Sequence, residues 1–362
     1  MISARLLALG SLWIFVAGCR STGCPAYPAA LGAQQEGHFR PVAFDQTCAA
    51  GPVIGPLSMD AGGEKPVFVT QVEEDGFCTW AISTVVDGRA KSIMSINEDL
   101  SESFRGTSLM PGTNGTFWAS VDSSYVHFMG DKDARFSPVT KGGSVSSLSS
   151  TAAGHAYAIE TGRSGKGIWS SYLVDLEERR FVPLAGDQSE GSPLERAPDG
   201  NVYVDGRLHG RSCIKYKVES VGRTGNERLE LREAAHCGVS GRDGASWWPR
   251  IFGVQRFFRG EITEYYPLEP MDGCIGHGYY PALITADQLG NVWFLRRKLW
   301  HIDPLGKLFS TNLPPDSRYA SVVGEKNGTW GAEVDGGQLI AASDGTVWLT
   351  DGRSLYHFVR EP

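Results

Sequence analysis

From Pro281 to Leu313 the chain reads PALITADQLGNVWFLRRKLWHIDPLGKLFSTNL, in which apolar runs rich in β-branched and aromatic residues alternate with short polar turns. Pro281 to Ala286 is apolar, Asp287 to Gly290 turns, Asn291 to Leu295 is aromatic, and Arg296 to Lys298 turns again. Leu299 to Ile302 alternates, Asp303 to Gly306 makes a third turn, and Lys307 to Leu313 is the last run. Short apolar runs bounded by Gly, Pro and Asp predict four strands in a meander. One such sheet cannot cover both of its faces, so the pattern predicts further sheets.

The phrase recurs. A Gly or Asp-Gly turn followed by apolar and aromatic residues stands around Phe68, Phe117, Tyr157, Tyr203, Trp248, Trp293 and Trp348, at spacings of 49, 40, 46, 45, 45 and 55 residues. That is the period of a four-stranded propeller blade, about 40 to 50 residues. The fold class expected is therefore all-β, a seven-bladed β-propeller, in which radial packing covers each sheet with its neighbours. Repeats are expected at Ile54 to Asn97, Phe104 to Val139, Val145 to Leu184, Leu194 to Ala235, Val239 to Leu268, Pro281 to Leu313 and Gln338 to Val359. The first strand of the fifth is weak. The seventh has three strands before the chain stops at Pro362, so Gly37 to Phe44 is expected to supply the fourth and close the ring.

Ahead of that strand the chain has a different character. Arg5 precedes an apolar run from Leu6 to Val16 that is too short to span a bilayer and is followed by the small residues Ala17 and Gly18. Residues 1–18 read as a signal peptide, 19–35 as a lipidated tether, and 36–362 as the propeller domain. Val16-Ala17-Gly18-Cys19 resembles the lipobox of bacterial lipoproteins, which implies acylation of Cys19 and attachment to a membrane through the lipid. Arg20 rather than Asp after the cysteine implies the outer membrane, within a bacterial cell envelope. The other six cysteines include no CxxC pair, and in an oxidising compartment they are expected to form disulfides rather than hold metal. The strand map favours Cys213 with Cys237 and Cys48 with Cys78, leaving Cys24 with Cys274 by elimination.

The search for chemistry finds no HExxH, P-loop, GxSxG or EF-hand phrase. No catalytic set, metal site or cofactor is expected. His127, His301 and His357 recur 9, 8 and 9 residues after Trp118, Trp293 and Trp348, and Arg256 stands 8 after Trp248, so each is expected on the third strand of its own blade. Equivalent positions in a radial array lie far apart and cannot surround one substrate. His277, between glycines and beside Tyr279 and Tyr280 in a connecting loop, is the histidine that could serve catalysis. Asn114-Gly and Asn327-Gly are read as turns.

Asp199-Gly-Asn-Val-Tyr-Val204, Gly290-Asn-Val-Trp-Phe294 and Asp344-Gly-Thr-Val-Trp-Leu349, with His301-Ile-Asp-Pro-Leu-Gly306, resemble repeats of the virginiamycin B lyase, NHL and two-component-regulator propeller families. The resemblance implies a propeller and, from the lyases alone, metal-assisted elimination by His and Glu residues. Their Thr-Glu pair after the aromatic is replaced by Leu295-Arg296, Thr350-Asp351 and Asp205-Gly206, so the resemblance bears on architecture rather than activity.

Charge changes the picture last. The formal balance of −7 and a pI near 5.7 exclude a general nucleic-acid binder. Yet the turns between second and third strands, which share one end of the disc with the crossovers between blades, carry Arg163, Lys166, Arg207, Arg211, Arg250, Arg296, Arg297, Lys298 and Arg353. Against these stand Glu160, Asp205 and Asp351, while Glu73, Glu74 and Asp75 occupy the turn of the first repeat and make the patch a crescent. Convergent Arg groups bind carboxylate, sulfate or phosphate, and His277, Tyr279 and Tyr280 add aromatic surface. The expected function is a binding or scaffolding propeller for an anionic ligand, an envelope protein or an anionic glycan. The rival is a lyase or hydrolase acting on a polysaccharide or small cyclic substrate at the centre of that face.

Overall fold

The structure, a computed structural model, describes residues 34–45, 48, 51–96, 108–121, 124–130, 132–138, 143–163, 169–184, 194–207, 213–221, 228–236, 238–250, 253–265, 283–295, 298–320, 334 and 337–360. Two short strands, β1 (Gln34–Gln35) and β2 (His38–Pro41), precede seven antiparallel sheets. The first blade is β3 (Ile54–Met59), β4 (Pro66–Glu74), β5 (Phe77–Val86) and β6 (Arg89–Ile96). The second is β7 (Leu109–Pro111), β8 (Phe117–Val121), β9 (Ser124–Met129) and β10 (Lys132–Phe136). The third is β11 (Ser144–Ser150), β12 (Ala156–Arg163), β13 (Trp169–Asp175) and β14 (Arg180–Pro183). The fourth is β15 (Leu194–Arg196), β16 (Val202–Arg207), β17 (Cys213–Val221) and β18 (Arg228–His236). The fifth is β19 (Val239–Ser240), β20 (Ser246–Arg250), β21 (Gly253–Phe258) and β22 (Glu261–Tyr265). The sixth is β23 (Leu283–Ala286), β24 (Val292–Leu295), β25 (Leu299–Ile302) and β26 (Leu308–Thr311). The seventh is β27 (Gly337–Ala341), β28 (Val347–Asp351) and β29 (Leu355–Val359).

In each sheet neighbours in sequence are neighbours in space. The seventh is completed by β2, which pairs antiparallel with β29 from His38↔Val359 to Pro41↔Tyr356, as expected for the strand that closes the ring. The N-terminal segment does more than close it. Within the stretch read as a tether, β1 pairs parallel with β26 on the sixth blade. Beyond β2, Ala43 exchanges backbone hydrogen bonds with Gly88 and Ala90 of the first blade, Asp45 pairs with Arg89, and Cys48 is bridged to Cys78. One segment thus straps the outer edges of three successive blades. The Cys48–Cys78 pairing matches the sequence expectation; Cys24, Cys237 and Cys274 lie outside the described residues, as do the side-chain contacts of Cys213.

The buried apolar clusters lie between blades. Among the described residues, six of the seven seams hold a buried apolar cluster, such as Val67, Val69, Leu109, Phe117 and Phe128 between the first and second blades. Burial of each large apolar side chain contributes about 1.5–3 kcal/mol. Alternation along the second strand of a blade sends successive side chains to opposite neighbours. That rule corrects the repeat alignment at three places. Phe117 faces the first blade whereas Trp118 faces the third. Trp247, not Trp248, faces the sixth blade and sits opposite Arg256 in the register. In the first blade Phe68 faces the seventh, so Val67 holds the repeat position there and that blade lacks the aromatic.

The turn ahead of each of these six aromatics is built alike. Gly115, Gly154, Gly200, Gly244, Gly290 and Gly345 all have positive φ, between 76° and 96°, and each stands three residues before its aromatic. A glycine reaches this conformation without a Cβ clash, which fixes where the second strand starts and hence its phase.

Candidate functional site

The repeat aromatics account for the histidines. Trp118 and His127 are register partners whose rings stack at 4.0 Å, and His127 Nε2 lies 2.9 Å from Thr116 Oγ1 of the preceding turn. Trp348 and His357 repeat this with Thr346, at 4.0 Å and 3.1 Å. His301 lies between Trp293 and Phe309, at 4.3 Å and 4.5 Å. In the fifth blade Arg256 lies over Trp247 and reaches Asp243 of the turn at 2.5 Å. The third blade reverses the roles: Asp175 takes the third-strand place opposite Tyr157, and His155 comes from the turn, with Nε2 2.9 Å from Asp175 Oδ1. In the fourth, the Tyr203 hydroxyl donates to Asp199 of the turn at 2.7 Å. In each, the aromatic is clamped by a third-strand polar group, a turn residue or both. Burial lowers the pKa of His127, His301 and His357, whereas the hydrogen bond to Asp175 raises that of His155. Held apart in separate blades, these groups form no common site.

At the crossover end, the charges read from sequence divide in a way sequence could not show. Arg163, Arg207 and Arg250 end β12, β16 and β20 at that end, with side chains outside the described set. Lys166, Arg211, Arg296, Arg297, His277, Tyr279 and Tyr280 lie outside the described residues altogether. Lys298 is half-buried and Arg353 is exposed. Two of the three opposing anions are not on the surface. Glu160 is wholly buried and accepts a 2.8 Å hydrogen bond from Tyr125 of the second blade. Asp351 is also buried; its carboxylate accepts backbone N–H bonds from Arg353, Ser354 and Arg318, at 3.0, 2.8 and 2.9 Å. Arg318, on the crossover from the sixth blade, donates from its guanidinium to the Asp351 carbonyl oxygen at 2.9 Å.

The opposite end of the axis holds a cavity of about 280 Å³. Ends of the innermost strands of the first, second, third, fourth, sixth and seventh blades line it. Side chains stitch these inner edges together: Gln338 accepts from Leu57 N, Ser147 from Leu194 N, and Glu195 from Ser240 N, at 2.5, 2.8 and 2.9 Å. Edge N–H groups that would otherwise face the channel are thereby paired. Over the mouth folds the 60–65 turn of the first blade. Arg196 of the fourth blade holds it with 3.1 and 2.7 Å bonds to the carbonyl oxygens of Asp60 and Ala61, and Ser343 N of the seventh donates to Gly63 O at 2.7 Å. Sequence reading missed this arrangement; its one visible trace is a charged residue, Arg196, ending an inner strand.

No protein-family model and no curated protein matches the sequence. Solved structures do match the fold. A streptogramin B lyase structure aligns over 91% of this chain and 100% of its own, at 14% identity and a TM-score of 0.52. A puromycin-hydrolyzing peptidase of Mycobacterium tuberculosis aligns over 88% of this chain and 53% of its own longer one, at 11% identity and a TM-score of 0.49. An auxiliary nutrient binding protein from Bacteroides thetaiotaomicron aligns over 91% and 78%, at 9% identity and a TM-score of 0.42. The resemblance to lyase propellers drawn from the Gly-x-Val-aromatic phrases therefore holds for the fold.

Proposed function

We propose that this chain is an exported, lipid-anchored envelope protein whose propeller binds an anionic partner, an acidic protein surface or an anionic glycan, at its crossover end. The observation that carries the reading is the burial of Glu160 and Asp351. Both carboxylates are spent on internal hydrogen bonds, so the anions that would neutralise the Arg-rich turns are withdrawn from the surface. Arg353, its backbone fixed by Asp351, is exposed to solvent. Planar guanidinium groups suit bidentate recognition of carboxylate and sulfate, and the turn of Arg353 is anchored by Asp351, which leaves it less ordering entropy to lose on binding.

The anchoring rests on Val16-Ala17-Gly18-Cys19, outside the described residues. Pull-down from detergent-solubilised envelopes tests the binding. Partners retained at low salt and released as ionic strength rises are expected, and Arg207→Glu combined with Arg296→Glu abolishes their capture. Partners unchanged by that double substitution would refute the crossover end as the binding face. Cys19→Ser is expected to move the protein from the membrane to the soluble fraction.

A further inference from the structure

We propose that the axial cavity at the turn end is a second, separate binding site, for a small organic anion bearing one carboxylate or phosphoester group on an apolar body. The cavity mixes two kinds of wall. Leu57, Met59, Met110 and Ile340 give it an apolar side. On the polar side stand the Arg196 guanidinium, Ser150 and the Gln288 amide.

Arg196 spends two of its N–H groups on the Asp60 and Ala61 carbonyl oxygens, leaving three of the five that a guanidinium carries. Among the described residues no carboxylate lies within 4.0 Å of it; Asp60 acts on it only from further off, and its carboxylate accepts Glu64 N and Lys65 N instead. Arg196 is half-buried, and that partial burial lowers its pKa from the ordinary arginine value, opposed by the Asp60 charge. The Ser150 hydroxyl on the same wall is wholly buried and has no hydrogen-bond partner. Orphaned buried hydroxyls are uncommon, and Ser150 is among the residues that line the cavity. The Gln288 amide sits beside the same 60–65 turn.

The two carboxylates on the wall are already engaged. Asp287 accepts from Leu289 N, Asn291 N, Asn291 Nδ2 and Trp293 Nε1, and Glu195 accepts Ser240 N. A partly apolar chamber of about 280 Å³, at the small end of ligand pockets, has room for an anion of metabolite size against the spare N–H groups of Arg196, with the Asp287 and Glu195 carboxylates turned to their own donors. It lies at the opposite end of the axis from the crossover turns, so either site can fail without the other.

The test is calorimetric titration and thermal shift of the purified full-length chain with benzoate, phenyl phosphate and neutral benzamide. Saturable binding of benzoate or phenyl phosphate, without binding of benzamide at the same concentration, is expected; the tighter anion distinguishes a carboxylate from a phosphoester. Arg196→Gln should weaken the anion at least tenfold. Because Arg196 also holds the 60–65 turn, Ser150→Ala provides the independent variant: it removes an unpartnered hydroxyl, so stability should hold while affinity drops several-fold, about 2- to 10-fold for one hydrogen bond. No saturable binding of either anion, equal binding of benzamide, or wild-type affinity in folded Ser150→Ala overturns the proposal.

Discussion

His301 turns the clamp into a measurable pH dependence. Its side chain is 3% exposed, packed between Trp293 and Phe309, and burial with the nearby Arg360 cation brings its pKa from 6.5 down to about 3. One contact opposes this, the Glu36 carboxylate 3.3 Å from Nε2. That carboxylate also lies 3.5 Å from Arg360, so its charge is shared, and burial wins. The sign follows from linkage: the folded state prefers the neutral ring, so the stability this site contributes is complete above pH 6.5 and is lost as pH falls toward 3. Each pH unit below 6.5 removes about 1.4 kcal/mol, and two units remove about 2.7 kcal/mol. His301→Phe keeps an aromatic ring between its neighbours but removes the proton site. Urea unfolding of both proteins from pH 7 to 4.5 isolates the difference, since every other titrating group is common to them. The variant should show a shallower loss of stability, by roughly one proton's slope. Equal slopes would refute the burial argument. A wild type that gains stability from His301 on acidification would show that Glu36 prevails instead.

Two further predictions concern the strap and the turns. Cys48→Ser opens a bridge spanning 30 residues and should cost about 3–4 kcal/mol on a chain-entropy reckoning; a urea midpoint equivalent to a loss under 1 kcal/mol would mean that the strap is held by its hydrogen bonds alone. Gly154 and Gly76 both have φ near +80°, but a Cβ on Gly154 would stand 2.3 Å from the Gly112 carbonyl oxygen, whereas one on Gly76 meets nothing within 4 Å. Gly76→Ala should therefore show only the left-handed backbone cost, about 1 kcal/mol, and Gly154→Ala several times that; equal losses in chemical denaturation would contradict the contact between the second and third blades.

The blade count and most blade limits were legible because turn chemistry and hydrophobic runs are local properties. The first blade was expected from Ile54 to Asn97 and its strands end at Ile96, and the weak first strand of the fifth is the two-residue β19. Phase was harder to read. Where both faces of a strand are buried, neighbours such as Phe117 and Trp118 or Trp247 and Trp248 are equally apolar, and alternation gives no warning of which points where. The glycine three places earlier was the better guide. Cross-ring contacts were not legible at all: Arg196 meets Asp60 across 136 residues, and no period in the chain connects them. Parallel pairing of β1 was hidden by its two-residue length. The charged crossover turns were visible as composition, but the burial of Glu160 and Asp351 depends on neighbours in other repeats and turns.

The clamps also indicate where function can reside in such a ring. In six blades an aromatic side chain and a turn or third-strand polar group close on one another. Residues consumed this way are fixed by packing and are poor candidates for binding or catalysis, however suggestive a histidine looks in isolation. What remains free is what departs from the repeat. Arg196 lies at the axis rather than in a clamp, and the 60–65 turn belongs to the one blade without the repeat aromatic, where Val67 leaves it unconstrained by a clamp. That first blade is also where the strap ends, through Asp45–Arg89 and Cys48–Cys78. A blade that lacks the internal clamp is thus fastened from outside, and its inner turn is held instead by Arg196 and Ser343 beside the axial chamber.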